Sequence, residues 1–253
     1  MTVPSEIKLS RRELMQGAAG AVLTVTLAPG VTLLVGAASA AARPPGAAVS
    51  PKTRWGILID LAKYADVGDA AVAACRNEHG WTGHARPATD PQWIRKVTIR
   101  DPKTGASRAL PLMCQHCENP PCVDVCPTGA SFRRADGIVL VDKHTCIGCR
   151  YCMMACPFGV RFFVHENVTG QKPHSPRGKG TVEACNLCVH RLDANKSPAC
   201  VEASNRKNPG TMIFGDLNDS ASEIARAVGQ HVVLRLRAEL GLDQGVLYKG
   251  LAS

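Results

Sequence analysis

Aromatic residues are scarce: three tryptophans, three tyrosines and five phenylalanines in 253 residues. That is a thin supply for an ordinary hydrophobic core, because aromatics bury more area per residue than any other type. Also missing are an acidic tail, a heptad array and any long low-complexity tract, which excludes coiled coil and disorder. No G-x-S-x-G, P-loop, dinucleotide fingerprint or H-E-x-x-H is present, so those chemistries have no footing. No C-x2-C is followed directly by His, which excludes an attached c-type haem. The length allows one compact unit or two small ones, not a large enzyme. What the chain does have is cysteine, twelve in all.

The formal charge is +9. Lysine and arginine are scattered, with no basic helix, RNP-like run or helix-turn-helix pattern. Nucleic acid is therefore not expected as a partner, and the charge reads as a solvated surface with a patch for an acidic partner.

The N-terminus reads as an address. Residues 1–16 are polar and include Lys8, Arg11 and Arg12, and residues 17–42 carry no charge. The apolar stretch closes on small residues, Ala38-Ser39-Ala40, ahead of Arg43 and two prolines. A charged start, an apolar middle and a small-residue cleavage zone are the parts of an export signal. The stretch is also long enough to stay as an uncleaved anchor, although Gly17, Gly20, Pro29, Gly30 and Gly36 make it only mildly apolar. Ser10-Arg11-Arg12-Glu13-Leu14 resembles the twin-arginine signal. That route carries proteins already folded in the cytoplasm to the periplasm.

The cysteines fall into four groups. Cys146, Cys149, Cys152 and Cys156-Pro157 form C-x2-C-x2-C-x3-C-P. Cys114, Cys117, Cys122 and Cys126-Pro127 form C-x2-C-x4-C-x3-C-P. Cys185 and Cys188 are followed by Cys200, and Cys75 stands alone. The first spacing is that of bacterial ferredoxins, where three thiolates hold one [4Fe–4S] cube and the fourth reaches a second cube. Three close cysteines wrap one face of a cube, and Gly148 relieves the backbone between them. Zinc ribbons use two pairs of sulfurs rather than runs of four. A disulfide framework suits an exported chain, but C-x2-C-x2-C packs thiols too densely for unstrained long-range bridges. His116, His144, His165 and His190 read as surface residues or as neighbours of the clusters, since thiolates suffice as ligands. Cys114 with His116 could be drawn as a nucleophile pair, but an iron-bound thiolate is not free to attack. No catalytic residues are expected.

The stretch Met113–Val160, with Cys-Gln-His-Cys-Glu-Asn-Pro-Pro-Cys-Val-Asp-Val-Cys-Pro-Thr-Gly, resembles the electron-transfer subunits of the dimethyl-sulfoxide-reductase and nitrite-reductase type. So do Pro198-Ala-Cys-Val-Glu-Ala and Phe214-Gly-Asp-Leu-Asn-Asp, and the likeness covers nearly all of residues 53–225. It implies an α+β, bacterial ferredoxin-like poly-[4Fe–4S] fold of two interleaved, pseudo-twofold cluster modules. The outer module would be 53–100 plus 181–216, the inner 110–165, with 1–42 the signal and 217–253 a C-terminal helix and docking tail.

Such relatives usually carry four cubes, and this chain departs from them in two places. After the strand-like Trp55–Asp60, the expected cysteine run reads Ala65, Gly68, Ala71 and Cys75. The last group ends on Ser204 where a fourth cysteine belongs. Taken alone, Cys75 reads either as a small buried hydrophobe or as a ligand. The family's exchange of fourth ligands makes it a ligand and leaves no cysteine over. One cube would take Cys114, Cys117, Cys122 and Cys156. A second would take Cys146, Cys149, Cys152 and Cys126, and a third Cys185, Cys188, Cys200 and Cys75. A fourth would have lost every ligand.

The resemblance thus implies three [4Fe–4S] clusters and no molybdenum subunit, since in relatives the missing cube faces that subunit. It is nearest to the periplasmic iron–sulfur subunit of the Dsr transmembrane complex of dissimilatory sulfur metabolism, and the tail from Leu236 shares that likeness. The expected partners are an integral membrane, quinone-interacting subunit and a periplasmic, multihaem cytochrome. A nitrite-reductase-type complex matches equally well over 113–160, and an exported zinc- or disulfide-stabilised interaction protein is the reading from a different class.

Hairpins are predicted at Ala130–Arg134 with Ile138–Val141, and at Val97–Arg100 with Arg108–Leu112. Residues 166–182 read as a polar loop. Ser220 and Glu223 form a capping-box pattern for a helix through Val228.

Overall fold

The computed structural model describes residues 22–28, 31–36 and 47–251, and the chain divides into two units between Pro44 and Pro45. In the first unit β1 (Val22–Ala28) and β2 (Val31–Gly36) pair antiparallel. Arg11, Arg12 and the small residues at 38–42 lie outside the described residues, so the export signal stays an expectation. No helix among the described residues is long and apolar enough to cross a membrane.

The second unit begins with β3 (Trp55–Asp60), the strand predicted there. Asp60 turns the chain into α1 (Leu61–His79) by accepting the Ala62 amide at 3.1 Å, and Gly80 ends the helix at φ 67°. Leu61, Tyr64, Gly68, Ala71, Cys75 and His79 recur on one buried face of α1, the spacing of a helix that packs on one side. The two predicted hairpins follow. β4 (Ile94–Arg100) pairs with β5 (Ser107–Met113), and β6 (Ser131–Arg133) pairs with β7 (Val139–Val141). Short helices α2 (Pro121–Asp124), α3 (Tyr151–Ala155) and α4 (Val189–Asp193) lie beside or carry cysteines. β8 (Phe162–Phe163) and β9 (Val182–Glu183) pair across the loop 166–182. The unit ends with α5 (Ala199–Lys207), which packs on α1, then β10 (Met212–Asp216), α6 (Glu223–Gln230), β11 (Val233–Leu234) and β12 (Val246–Lys249).

α6 starts two residues later than the Ser220 pattern predicts a cap. Ser222 is the cap, accepting the Ala225 amide at 3.1 Å. Asp219 first takes the Ala221 amide, which holds residues 219–222 in a turn that the helix can only follow.

The end of the C-terminal segment is built into the fold. β12 lies inside a four-stranded sheet of order β10-β3-β12-β11, parallel to β3. Its residues alternate as a strand requires. Val246 and Tyr248 join the large core with Ile57 and Ile59 of β3, while Leu247 joins Leu58 on the opposite face under Ile224 of α6. Residues 246–249 enter the sheet because three consecutive buried side chains need both of its faces.

Residues 45–253 form one compact unit, so the outer and inner modules are regions of one body. Its core explains how few aromatics suffice: Cys75, Cys114, Cys117, Cys122, Cys152, Cys185 and Cys200 pack in it with Trp81, Trp93, Tyr64 and Tyr248.

Candidate metal centres

All twelve cysteines are free thiols, and the structure brings them together in three sets. In the first, Cys114 follows the end of β5, and Cys117 follows a left-handed turn at His116, φ 45°. Cys122 sits in α2, which opens on Pro121, a residue suited to the first helical turn. Cys156 ends α3. Cys114, Cys117 and Cys122 are buried and Cys156 is half-buried. Burial pushes the Cys114 and Cys117 thiols up to about 12, and the Cys122 and Cys156 sulfurs beside them add to the rise. Arg54 braces this loop, donating to the carbonyls of His116 at 2.7 Å, Gly137 at 3.0 Å and Asp243 at 3.1 Å.

The second set, Cys126, Cys146, Cys149 and Cys152, lines a single cavity. Gly148 makes the loop possible. Its φ is 70°, and a Cβ there would fall 2.1 Å from the Gly180 carbonyl oxygen, so no other residue fits. Backbone amides aim at the sulfurs: Ser131 donates to Cys126 Sγ at 3.3 Å and Val182 to Cys146 Sγ at 3.5 Å. Burial works upward on Cys126, but the Ser131 amide, with the Thr128 hydroxyl, brings its thiol below the ordinary value. Cys149 is the exposed member of the twelve, and Ile147, Tyr151 and Met154 stand exposed beside it.

In the third set Cys75 projects from α1, Cys200 lies in α5, and Cys185 and Cys188 precede α4. All four are buried. Burial, with Cys200 and Cys188 as neighbours, pushes Cys75 well above the ordinary thiol value. Cys185 rises for the same reason, with Cys75 and Cys200 beside it and Cys114 of the first set also within range. The sets therefore follow one another through the interior.

Sequence reasoning missed the polar groups that touch the third set. Trp81 Nε1 donates to Cys75 Sγ at 3.4 Å, and His79 Nε2 lies 3.2 Å from Cys188 Sγ. Both residues sit where α1 ends, and neither belongs to a spacing pattern that would single it out. Among the four histidines flagged by their nearness to cysteine, His116 is buried and accepts the Val139 amide on Nδ1 at 3.1 Å. His144 and His165 are exposed. His190 Nε2 donates to the Glu78 carboxylate at 2.7 Å, beside His174 and Arg191. In this group the Glu78 carboxylate pairs with Arg191 at 3.1 Å. The two imidazoles stack 30° from parallel with centroids 4.1 Å apart, so their in-plane lone pairs do not converge on one ion.

The positions of the missing fourth site are taken up by helix. Ala65, Gly68 and Ala71 lie within the unbroken α1. Ser204 is fully buried in α5, its hydroxyl on the Met212 sulfur at 3.7 Å. α1 and α5 pack together, and a Cβ at Gly68 would meet the Tyr64 ring and Lys96 of β4.

Twelve free thiols in three sets of four are a soft donor set suited to iron–sulfur clusters. Two further observations fit such a group. Amides point at sulfur, and the buried Arg161 has sulfurs rather than carboxylates around it.

Comparison with known proteins agrees. The family described as a 4Fe-4S dicluster domain matches residues 106–217. The chain is 40% identical over 230 residues to the Hdr-like menaquinol oxidoreductase iron-sulfur subunit 1 of Archaeoglobus fulgidus, covering 80% of this chain and 86% of that one. It is 37% identical to a tetrathionate reductase subunit of Salmonella typhimurium, over 80% of this chain and 74% of the relative. The thiosulfate reductase electron transfer subunit of Salmonella typhi is 46% identical over 55% of this chain and 67% of its own.

Proposed function

Since the chain belongs to the family of iron–sulfur electron-transfer subunits of oxidoreductase complexes, we propose that it relays single electrons through three [4Fe–4S] cubes. The relay runs between a quinone-linked integral membrane subunit and a periplasmic redox partner, a multihaem cytochrome, in a Dsr-type complex of dissimilatory sulfur metabolism. The observation that carries the reading is the gathering of the cysteines into three consecutive sets of four. The second set reaches the surface at Cys149, and the third is buried throughout.

Each cube, when bound, supplies a one-electron couple. The chain does the rest. Cys114, Cys117, Cys122 and Cys156 hold the first, Cys126, Cys146, Cys149 and Cys152 the second, and Cys75, Cys185, Cys188 and Cys200 the third. Burial keeps water from the first and third, and the Ser131 and Val182 amides stabilise charge on the sulfurs of the second. The exposed Ile147, Tyr151 and Met154 give the second set an apolar rim, which supports docking of the membrane partner there. The sulfur-compound reductases among the relatives support the metabolic setting. Absence of a fourth site supports a donor or acceptor other than a molybdenum subunit. The twin-arginine-like start supports export in the folded state, with membrane association through partners or an uncleaved anchor.

The test is anaerobic purification followed by iron, acid-labile sulfide and zinc analysis. Roughly twelve irons per chain with equal sulfide, at four per cube, is the expected result. Roughly eight would remove the third cube, and zinc without sulfide would end the relay reading.

A further inference from the structure

Arg161 is 4% exposed, and its Nη1 has no hydrogen-bond partner. The other deeply buried arginines are matched. Arg177 forks onto Glu183 at 2.8 and 2.9 Å, and Arg54 pairs with Glu118 at 3.0 Å. Among the described residues no carboxylate forms an ion pair with Arg161. A buried, uncompensated guanidinium is strongly unfavourable, so a negative charge belongs beside it. The groups it faces are sulfurs: its charge acts on Cys122, Cys114 and Cys152. Cys114 and Cys122 belong to the first set and Cys152 to the second. Arg161 therefore stands between the two inner centres.

A cube held by four thiolates is an anion, and each added electron makes it more negative. A fixed cation nearby favours the reduced form. We propose that Arg161 is a positioning residue for electron transfer, a permanent positive charge shared by the two inner cubes that raises the reduction potential of both. Arginine suits the place because its planar fork can reach sulfurs on two sides and it never loses its proton. Each step moves one electron and makes or breaks no bond. The inference rests on the proposed exchange of fourth ligands. Iron and sulfide analysis of the unmodified chain tests that assignment separately, without reference to Arg161.

The experiment is an EPR-monitored redox titration of the full, cluster-loaded chain beside its R161Q and R161K variants, with iron counted in each. R161Q is expected to move both inner midpoint potentials to more negative values and leave the third unchanged. R161K keeps the charge and is expected to hold both near their native values. Unchanged inner potentials in R161Q, a shift in only one of them, or an equal shift in R161K would overturn the proposal. Should R161Q assemble no inner cubes, R161K decides. Inner cubes present at native potentials sustain the role of charge. Inner cubes absent from both variants show that side-chain shape holds the site, and the proposal fails.

Discussion

His79 Nε2 lies 3.2 Å from Cys188 Sγ, while its Nδ1 lies 3.1 Å from Ser175 Oγ. Burial, with His190 beside it, pulls this imidazole down to about 3, so it is neutral. A neutral ring that accepts the Ser175 hydroxyl on Nδ1 presents Nε2–H to the sulfur. Hydrogen bonds to cluster sulfurs favour the reduced state. His79→Phe keeps a ring in place and removes that donor, so the third cube's potential should fall while the inner two stay put. An EPR titration reads all three, and an unmoved third potential would show that the contact does no tuning.

Cys75 is the residue whose role depends most on the fold. Cys75→Ala should lower iron by roughly four per chain, with a matching loss of sulfide, and leave the inner EPR signals intact. Unchanged iron would return Cys75 to the status of a buried apolar side chain.

Reinstating cysteine at 65, 68, 71 and 204 should not create a fourth cube. α1 runs unbroken through three of these positions, and a Cβ at Gly68 would lie 2.8 Å from the Tyr64 ring and 2.9 Å from Lys96 Cδ. Gly68→Ala alone should destabilise by about 1–3 kcal/mol through overpacking, measured as a lowered denaturant midpoint. A gain of iron in the four-cysteine variant would show that α1 can open into a cluster loop.

Removing residues 246–253 should prevent folding. The cut strips β12 from between β3 and β11 and discards Val246, Leu247 and Tyr248, all buried, at about 1.5–3 kcal/mol each. Tyr248 also donates to the Pro111 carbonyl at 3.0 Å, which ties the tail to the strand leading into Cys114. Soluble, iron-loaded protein from the truncated chain would contradict this.

Glu183→Gln leaves the Arg177 fork without its countercharge in a site where Glu183 has no exposure. The expected cost is about 3–5 kcal/mol. It should show as a lower Tm with faster cluster loss from the third set, because Glu183 is two residues from Cys185.

Much of this was legible in one dimension. Cysteine spacing is a local property: three ligands within seven residues must share one loop, and Gly148 marks where that loop turns. Strand alternation and the Asp-Gly turn likewise announced the β6–β7 hairpin. Legibility failed where partners are distant in the chain. Nothing near Leu236–Lys249 says that this tail will enter a sheet beside Trp55–Asp60. The Ser220 pattern could not show that Asp219 would first take the Ala221 amide.

The sequence by itself determined the donor set, its grouping by spacing and the loss of one group, because thiolate chemistry and short loops depend on neighbours along the chain. Only the tertiary structure decided what surrounds those sulfurs. It brought Cys75 to Cys200 by packing α1 on α5, set His79 and Trp81 against the third group, and placed Arg161 between the first and second. Those contacts depend on which side chains share a desolvated interior, and burial is settled by packing between elements far apart in sequence.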